Sequence, residues 1–245
     1  MGTNNLSVGY QSAALDYNAF CQCAYQNRGN FYDFIPQANS RLVVSIGDLP
    51  STGDATFLST SGLQALVRGL TAGNHGDVVG LARELNGTLY LLGQHDLCVP
   101  WFYASIDPVR HELQYVNAGH ASPLLIRKRG STVHRLERTG TALAFSAHSI
   151  HRQDITSIEP GDLLVMFSEG IADRLSDTKV LNVVFENPHA GAGELTRRIF
   201  EEVDRSATLP WKDSDSTFAA VRVVGECRHP LLEDGAAEDL MVCAA

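Results

Sequence analysis

Three acidic positions, far apart in the chain, share one local pattern. Gly47-Asp48-Leu49-Pro50-Ser51-Thr52-Gly53 follows the apolar run Leu42–Ile46, and Ser168-Glu169-Gly170 follows the apolar run Leu163–Phe167. Asp213-Ser214-Asp215-Ser216-Thr217 stands immediately before a third apolar run that ends at Val224. A carboxylate at a strand end can point into a cleft, and an adjacent glycine lets backbone carbonyls approach a cation. Acids of this kind, converging at one edge of a sheet, would suit Mg²⁺ or Mn²⁺, which prefer carboxylate, carbonyl and water oxygens. Each segment also fits an ordinary turn, because Gly-Asp pairs are common turn signals. The residue pattern alone leaves both readings open.

The elements that must position these acids follow from periodicity. Leu42-Val43-Val44-Ser45-Ile46 is a β-branched run that stops at Gly47, as a buried strand does. Leu63, Leu66, Val67 and Leu70 fall at i, i+3, i+4 and i+7, one apolar face of a helix over 55–72. Val78, Leu81, Leu85, Leu89 and Leu92 repeat that pattern over 77–93, with Asp77 placed to cap it. The period then switches to strands at 99–106, 112–117, 122–127, 132–136, 150–158 and 162–167, separated by Asp107-Pro108 and Pro160-Gly161-Asp162 turns. Leu195, Ile199 and Val203 mark a helix over 192–206, and Thr217–Val224 a closing strand. Strands and helices grouped in this way predict a layered α+β domain.

Composition narrows the function classes. The chain has 245 residues, 44% of them hydrophobic and 19% charged, as in an ordinary soluble globular domain. Its net charge of −9 argues against nucleic acid held by a basic surface, and Lys128, Lys179 and Lys212 are its only lysines. The five cysteines are scattered and odd in number, so they are expected as free thiols in a reducing compartment. No opening signal segment is evident, and no apolar run reaches the ~18 residues of a membrane span, so a cytoplasmic location is expected. Residues 1–225 are expected to form one domain, followed by a tail over 226–245 rich in Pro, Gly, Glu and Asp. No Gly-x-Ser-x-Gly elbow supports a serine hydrolase, and no Gly-x-x-x-x-Gly-Lys-Ser/Thr loop is present. His148 and His151 lie in a hairpin region without a ligand partner at usable spacing and are expected at the surface.

The most specific stretch is Tyr115-Val116-Asn117-Ala118-Gly119-His120, flanked by Trp101–Pro108 and Ser122–Arg127. With Arg28-Gly29-Asn30-Phe31-Tyr32-Asp33, Gly47–Gly53, Glu159-Pro160-Gly161-Asp162 leading to Ser168-Glu169-Gly170, and Ser214-Asp215-Ser216-Thr217, it forms a series of five landmarks. In this order, from about residue 10 to 224, the chain resembles the SpoIIE-like branch of the PPM metal-dependent serine/threonine phosphatases. The resemblance implies an α-β-β-α sandwich of two mainly antiparallel sheets flanked by helices. It implies a site for two divalent cations, Mn²⁺ or Mg²⁺, with Asp48 bridging the metals, the Leu49 carbonyl beside it, and Asn30, Glu169 and Asp215 completing the set. Asp48, Glu169 and Asp215 are its catalytic candidates, and their carboxyl groups should lie within about 6 Å of one another to share a dication. Asn117 and His120 then read as a hydrogen-bonded structural corner.

The chain departs from the family pattern at the metal positions. Glu169 stands where the family has Asp, moving the carboxylate out by about 1.5 Å, one carbon–carbon bond. Asn30 replaces an acid, and Ser214 replaces the ligand Asp of the last motif, leaving Asp213 or Asp215 as a displaced substitute. Loss of carboxylates weakens attraction for a dication and activation of its water. Two readings remain: a metal-dependent phosphatase in bacterial signalling, acting on a phosphorylated anti-sigma-factor antagonist, and a pseudophosphatase that binds a signalling partner without turnover. Neither involves nucleic acid or a membrane.

Overall fold

The computed structural model describes residues 4–11, 14–23, 29–49, 58–74, 76–92, 97–128, 132–206 and 215–225. The expectations for Pro50–Gly53, Asp213, Ser214, the first residues of the 55–72 helix and the tail over 226–245 lie outside them.

The chain opens with β1 (Asn4–Gln11), β2 (Leu15–Cys23), β3 (Asn30–Pro36) and β4 (Leu42–Asp48), followed by α1 (Thr60–Asn74) and α2 (Val78–Leu92). Next come β5 (Trp101–Asp107), β6 (Glu112–Ala118), β7 (Leu124–Ile126), β8 (Val133–Arg135), β9 (Asp154–Ser157) and β10 (Leu163–Phe167). The helices α3 (Glu169–Ala172), α4 (Asp177–Glu186) and α5 (Ala192–Ser206) precede the closing β11 (Ser216–Val223). The strands form two antiparallel sheets, ordered β1-β2-β11-β10-β7-β8 and β3-β4-β5-β6-β9.

Strand alternation explains how the layers are held. On β10, Leu164 and Met166 face the other sheet, meeting Val44, Ile46, Phe102 and Ala104 in the central core. Leu163, Val165 and Phe167 face outward and pack with Val180 and Val184 of α4 and Leu195, Ile199 and Val203 of α5. A strand buried on both faces must be apolar throughout, and all five residues of β10 are buried. The outer face of the second sheet is covered by Leu63 and Val67 of α1 and Leu81, Leu85 and Leu89 of α2. Truncating a fully buried leucine such as Leu85 costs about 2–5 kcal/mol.

Several polar groups inside these layers are paired with each other. The Trp101 indole Nε1 donates to Ser45 Oγ at 2.9 Å, and Thr71 Oγ1 lies 3.1 Å from the Tyr103 hydroxyl. Asp77 caps α2 as its position predicts, its Oδ1 accepting from Gly80 N at 2.8 Å. The α-β-β-α sandwich expected from the family motifs is the observed architecture, and among the described residues no helix is long and apolar enough to cross a membrane.

Three expectations are corrected. The predicted 150–158 strand is shorter, because residues before Asp154 leave the sheet and fold against 139–141, with Arg152 N donating to Thr139 O at 3.1 Å. His151 is buried, at 7% exposure, because its Nε2 is held 2.9 Å from the Thr141 carbonyl oxygen. His148 is exposed as expected. Glu169 does not sit at the strand end itself: the chain bends at Ser168, and Glu169 opens α3.

Candidate metal centre

The site is assembled where the two sheets meet at one edge. Antiparallel pairing of β3 with β4 sets Asn30 opposite Asp48. The chain beyond is fixed by backbone bonds from Asp48 N to Pro100 O at 3.0 Å and from Leu49 N to Gly29 O at 2.9 Å. Gly47 is required here, since a Cβ would meet the Phe31 ring at 2.6 Å and the Pro100 carbonyl at 2.9 Å.

The other sheet brings Glu169 and Asp215. Ser168 follows β10, its N donating to Thr217 O at 3.0 Å and its Oγ accepting from Thr217 N at 3.0 Å. That pair locks the start of α3 against the start of β11. Asp215 is then tied across to the second sheet: Asn30 N donates to Asp215 Oδ2 at 2.9 Å, and Asn30 Nδ2 donates to the Asp215 carbonyl at 3.2 Å. Gly29, at φ 103°, and Gly170 make this approach possible, because a Cβ on Gly29 would fall on the Asp215 carboxylate and one on Gly170 on its carbonyl.

Electrostatics set Asp48 apart. Burial, followed by the charges of Glu169 and Asp215, pushes its carboxyl up to about 7. Its Oδ1 is shielded from solvent with no hydrogen-bond partner among the described residues, although the side chain as a whole remains 23% exposed. Unbalanced negative charge and an oxygen without a donor are what an oxygen-coordinated dication would relieve. The donors on hand, Asp48, the Leu49 carbonyl, Glu169 and Asn30, are all of the hard type such a cation takes.

The centre is not a finished cage. Among the described residues, no three His, Cys, Asp or Glu side chains form a cluster that could hold a metal ion. Asp48 feels the charges of Glu169 and Asp215, and two features keep these acids from forming a finished cage among the described residues. Glu169 is exposed at the start of α3, and the Asp215 carboxylate already accepts from Asn30 N. The donors fit a cation at Asp48, with Glu169 free to turn toward it. The Asn30–Asp215 clamp occupies the place where the motifs imply more ligands.

The corner residues join this edge. Asn117 is tied down, its Nδ2 donating to Leu136 O at 3.1 Å and its backbone O accepting from Thr139 N and Gly140 N, although its Oδ1 is buried without a partner among the described residues. His120 is fully buried, with Nδ1 2.9 Å from the Ala121 carbonyl and Nε2 3.8 Å from Asp48 Oδ2. Burial lowers its pKa to about 4, so the ring is neutral at pH 7. A carbonyl can only accept, which puts the ring proton on Nδ1 and leaves Nε2 as a lone pair facing Asp48. Reading His120 as a purely structural corner misses this. The usable signal was the end of β6: Gly119 bridges to Trp101, the strand neighbour of Gly47.

Comparison with known proteins identifies the architecture. The family model described as Stage II sporulation protein E (SpoIIE) matches residues 38–224, and the chain belongs to that family of PPM-type phosphatase folds. The chain is 24% identical over 200 residues to the phosphoserine phosphatase RsbU of Bacillus subtilis (strain 168), covering 79% of this chain and 59% of that one. It spans less than two thirds of such curated relatives, covering 55% of the phosphoserine phosphatase RsbP of the same organism. Among solved structures, the RsbU and RsbW domains of Rv1364c from Mycobacterium tuberculosis superpose with a TM-score of 0.71 at 17% identity, over 87% of this chain and 62% of that one. The catalytic domain of the serine/threonine phosphatase PstP, solved with two manganese ions, gives 0.62 at 15% identity, over 86% of this chain and 99% of that one.

Proposed function

We propose that residues 1–225 form one cytoplasmic phosphatase domain that hydrolyses phosphoserine or phosphothreonine in a signalling protein, with a phosphorylated anti-sigma-factor antagonist as substrate. One observation carries the reading: the shielded Asp48 Oδ1 without a partner, on a carboxyl whose acidity is suppressed by burial and by Glu169 and Asp215. The family membership and the phosphoserine phosphatases among the relatives support it.

Asp48, the Leu49 carbonyl, Glu169 and Asn30 would hold Mn²⁺ or Mg²⁺, with Asp215 fixed beside them. When bound, the cation supplies Lewis acidity toward a phosphoryl oxygen and a water of lowered pKa. The protein's own part is positional. Asp48 is held by the β3–β4 register and the Pro100 contact. Neutral His120 presents a lone pair on the inner side of Asp48 and can accept a proton or a water hydrogen there. Glu169, being exposed, is the arm that can move. Asn30 keeps the Asp215 carboxylate from swinging outward.

The clamp and the missing three-acid cluster favour a second reading, a pseudophosphatase that binds a phosphoprotein partner without turnover. A single experiment separates the two: hydrolysis of p-nitrophenyl phosphate with Mn²⁺, with Mg²⁺ and with EDTA, comparing wild type with Asp48→Ala. Metal-dependent turnover lost in the variant supports the enzyme. Equal, negligible rates in both proteins support the binding reading.

A further inference from the structure

A second polar site lies at the opposite end of β10, away from Asp48. The row Ile126, Leu163, Arg222 and Asp16 runs across β7, β10, β11 and β2, with paired residues sharing one face. That face is the one covered by α4 and α5. Between it and the end of α4 lies a cavity of about 210 Å³, lined among others by Lys128, Gly161, Val184, Phe185, Pro188 and Arg222. A pocket of this size, open on one side, suits a small occupant.

Cations outnumber acids around this cavity. Asp16 acts on Arg222 by its charge, but its Oδ2 accepts from Ala192 N at 2.8 Å at the start of α5. Asp162, 2% exposed, accepts from Arg127 Nη1 at 2.8 Å, Lys128 N at 2.9 Å and Glu159 N at 3.0 Å. These contacts use Asp162 and neutralise Arg127. Arg222 is left with Nε and Nη2 shielded from solvent and without a hydrogen-bond partner among the described residues. A guanidinium always carries its charge, and a shielded N–H without an acceptor is costly. Lys128 adds a second cation. Its stem lies over Gly161, at φ 93°, where a Cβ would fall on it. Opposite the cations, Phe185 is 44% exposed, an apolar wall open to a ligand.

We propose that this cavity binds a small organic anion, a carboxylate or phosphate monoester bearing one apolar group. Its head pairs with Lys128 and Arg222 and its apolar part lies on Phe185 and Pro188. Guanidinium and ammonium together recognise an oxyanion, the former with directed N–H groups and the latter as a point charge. The site is separate from the metal centre, which begins beyond Phe167 at the other end of the strand.

The test is an amide NMR titration of the full chain, stripped of metal with EDTA and then dialysed free of it, so that neither a metal-bound anion nor the chelator's own carboxylates contribute. The probes are phenylphosphonate and benzoate, with benzylamine as the cation of the same shape. Phenylphosphonate or benzoate should give saturable shifts at Gly161, Leu163, Val184 and Phe185, with a dissociation constant of about 1 mM or tighter. Lys128→Gln, at an exposed position that leaves the fold intact, should weaken binding about tenfold, consistent with loss of one charge-assisted contact. Phe185→Ala should weaken it about threefold, and Arg222→Gln should remove it where that variant folds. Saturation by phenylphosphonate alone assigns the site to phosphate esters, and saturation by both probes to anions generally. The proposal is overturned by an absence of saturable shifts at about 10 mM probe, a concentration ample for millimolar affinity. It is equally overturned by unchanged affinity in Lys128→Gln, by equal shifts from benzylamine, or by shifts confined to the Asp48 edge.

Discussion

The two ends of β10 treat buried acid in opposite ways. At its start, Asp162 receives three donors, including the Arg127 guanidinium, and joins β7, the 159–162 turn and β10 into one unit. At its finish, Asp48 keeps an oxygen without a partner and faces two further carboxylates. Asp162 is the more buried, at 2% exposure against 23% for the Asp48 side chain, but Asp48 Oδ1 is itself shielded, so burial alone does not separate them. Satisfaction does: a buried charge with its full set of donors holds the fold together, and one without them is waiting for a ligand. Within the corner segment both residues keep a buried atom without a partner, Asn117 Oδ1 and His120 Nε2, but only the His120 nitrogen faces Asp48.

The largest effect should come from breaking the satisfied end. Asp162→Ala leaves the backbone donors of Lys128 and Glu159 without their acceptor and removes the ion pair of Arg127, which keeps only Ser157 O and Thr156 Oγ1; it should cost about 3–5 kcal/mol, the penalty of two shielded donors left unpaired plus the lost pair. Urea unfolding of wild type and variant measures it. A loss below about 1 kcal/mol, the level of an exposed ion pair, would erase the distinction between the two ends.

The unsatisfied end should respond in the opposite direction. The folded protein holds the Asp48 proton up to about pH 7, whereas the unfolded chain releases it near 3.8. Folding therefore binds a proton in that window, and the contribution of Asp48 to metal-free stability falls as pH rises from about 4 to 7, by at most about 4 kcal/mol for a shift of this size. Asp48→Asn should remove that loss, making the metal-free variant more stable than wild type at pH 8 while abolishing metal-dependent phosphatase activity. A variant less stable than wild type at pH 8 in EDTA would show that Asp48 is already compensated.

His120 gives a finer form of the same comparison. Its pKa is lowered from 6.5 to about 4, so the unfolded chain takes up a proton first as pH falls, and stability is lost between 6.5 and 4. This slope opposes that of Asp48. Wild type should therefore show a nearly flat profile from pH 4 to 6.5, concealing two large contributions. Thermal melts should separate them: the Asp48→Asn profile rises with pH over that range, and the His120→Gln profile falls. Parallel profiles in the two variants would mean that the groups do not titrate as their burial requires.

Legibility in the sequence divides along the same line. The helices covering the second sheet were plain from Leu63, Val67, Leu81 and Leu85, because amphipathic spacing is a local property. The α4 helix was missed although Ser176 caps it, its Oγ accepting from Lys179 N, because Val180 and Val184 offer only a two-residue apolar face in a ten-residue helix. His151 was misplaced because the contact that buries it comes from a loop ten residues away that no periodicity reveals. The acids of the centre were named through the family motifs, not through spacing. The Asn30–Asp215 clamp joins residues 185 apart in two different sheets, and nothing local encodes it.

That clamp is where the smallest but most discriminating effect is expected. In metal-free protein, Asn30→Asp removes the Nδ2 donor to the Asp215 carbonyl and puts a carboxylate oxygen where that nitrogen lay, 3.2 Å from the carbonyl oxygen. The lost hydrogen bond and the added repulsion should cost about 1–2 kcal/mol, since the position is only partly buried. The same change returns one of the charges that the family motifs place at the metal positions. Added carboxylate acts on cation binding before it acts on chemistry, so Mn²⁺ should bind the variant about tenfold more tightly than wild type, as one further charged ligand warrants. The two effects have opposite signs in one residue: lower stability than wild type in EDTA, and a deficit that closes by about 1.4 kcal/mol in saturating Mn²⁺. Calorimetric titration with Mn²⁺ and melts with and without the metal read both. Combining Asn30→Asp with Glu169→Asp and Ser214→Asp should extend the gain to Mg²⁺ and to Mg²⁺-supported hydrolysis. Equal Mn²⁺ affinity in wild type and Asn30→Asp would mean that the clamp, and not the missing charge, governs this edge. The variant to make next would then be Asn30→Ala, which frees Asp215 without adding a ligand.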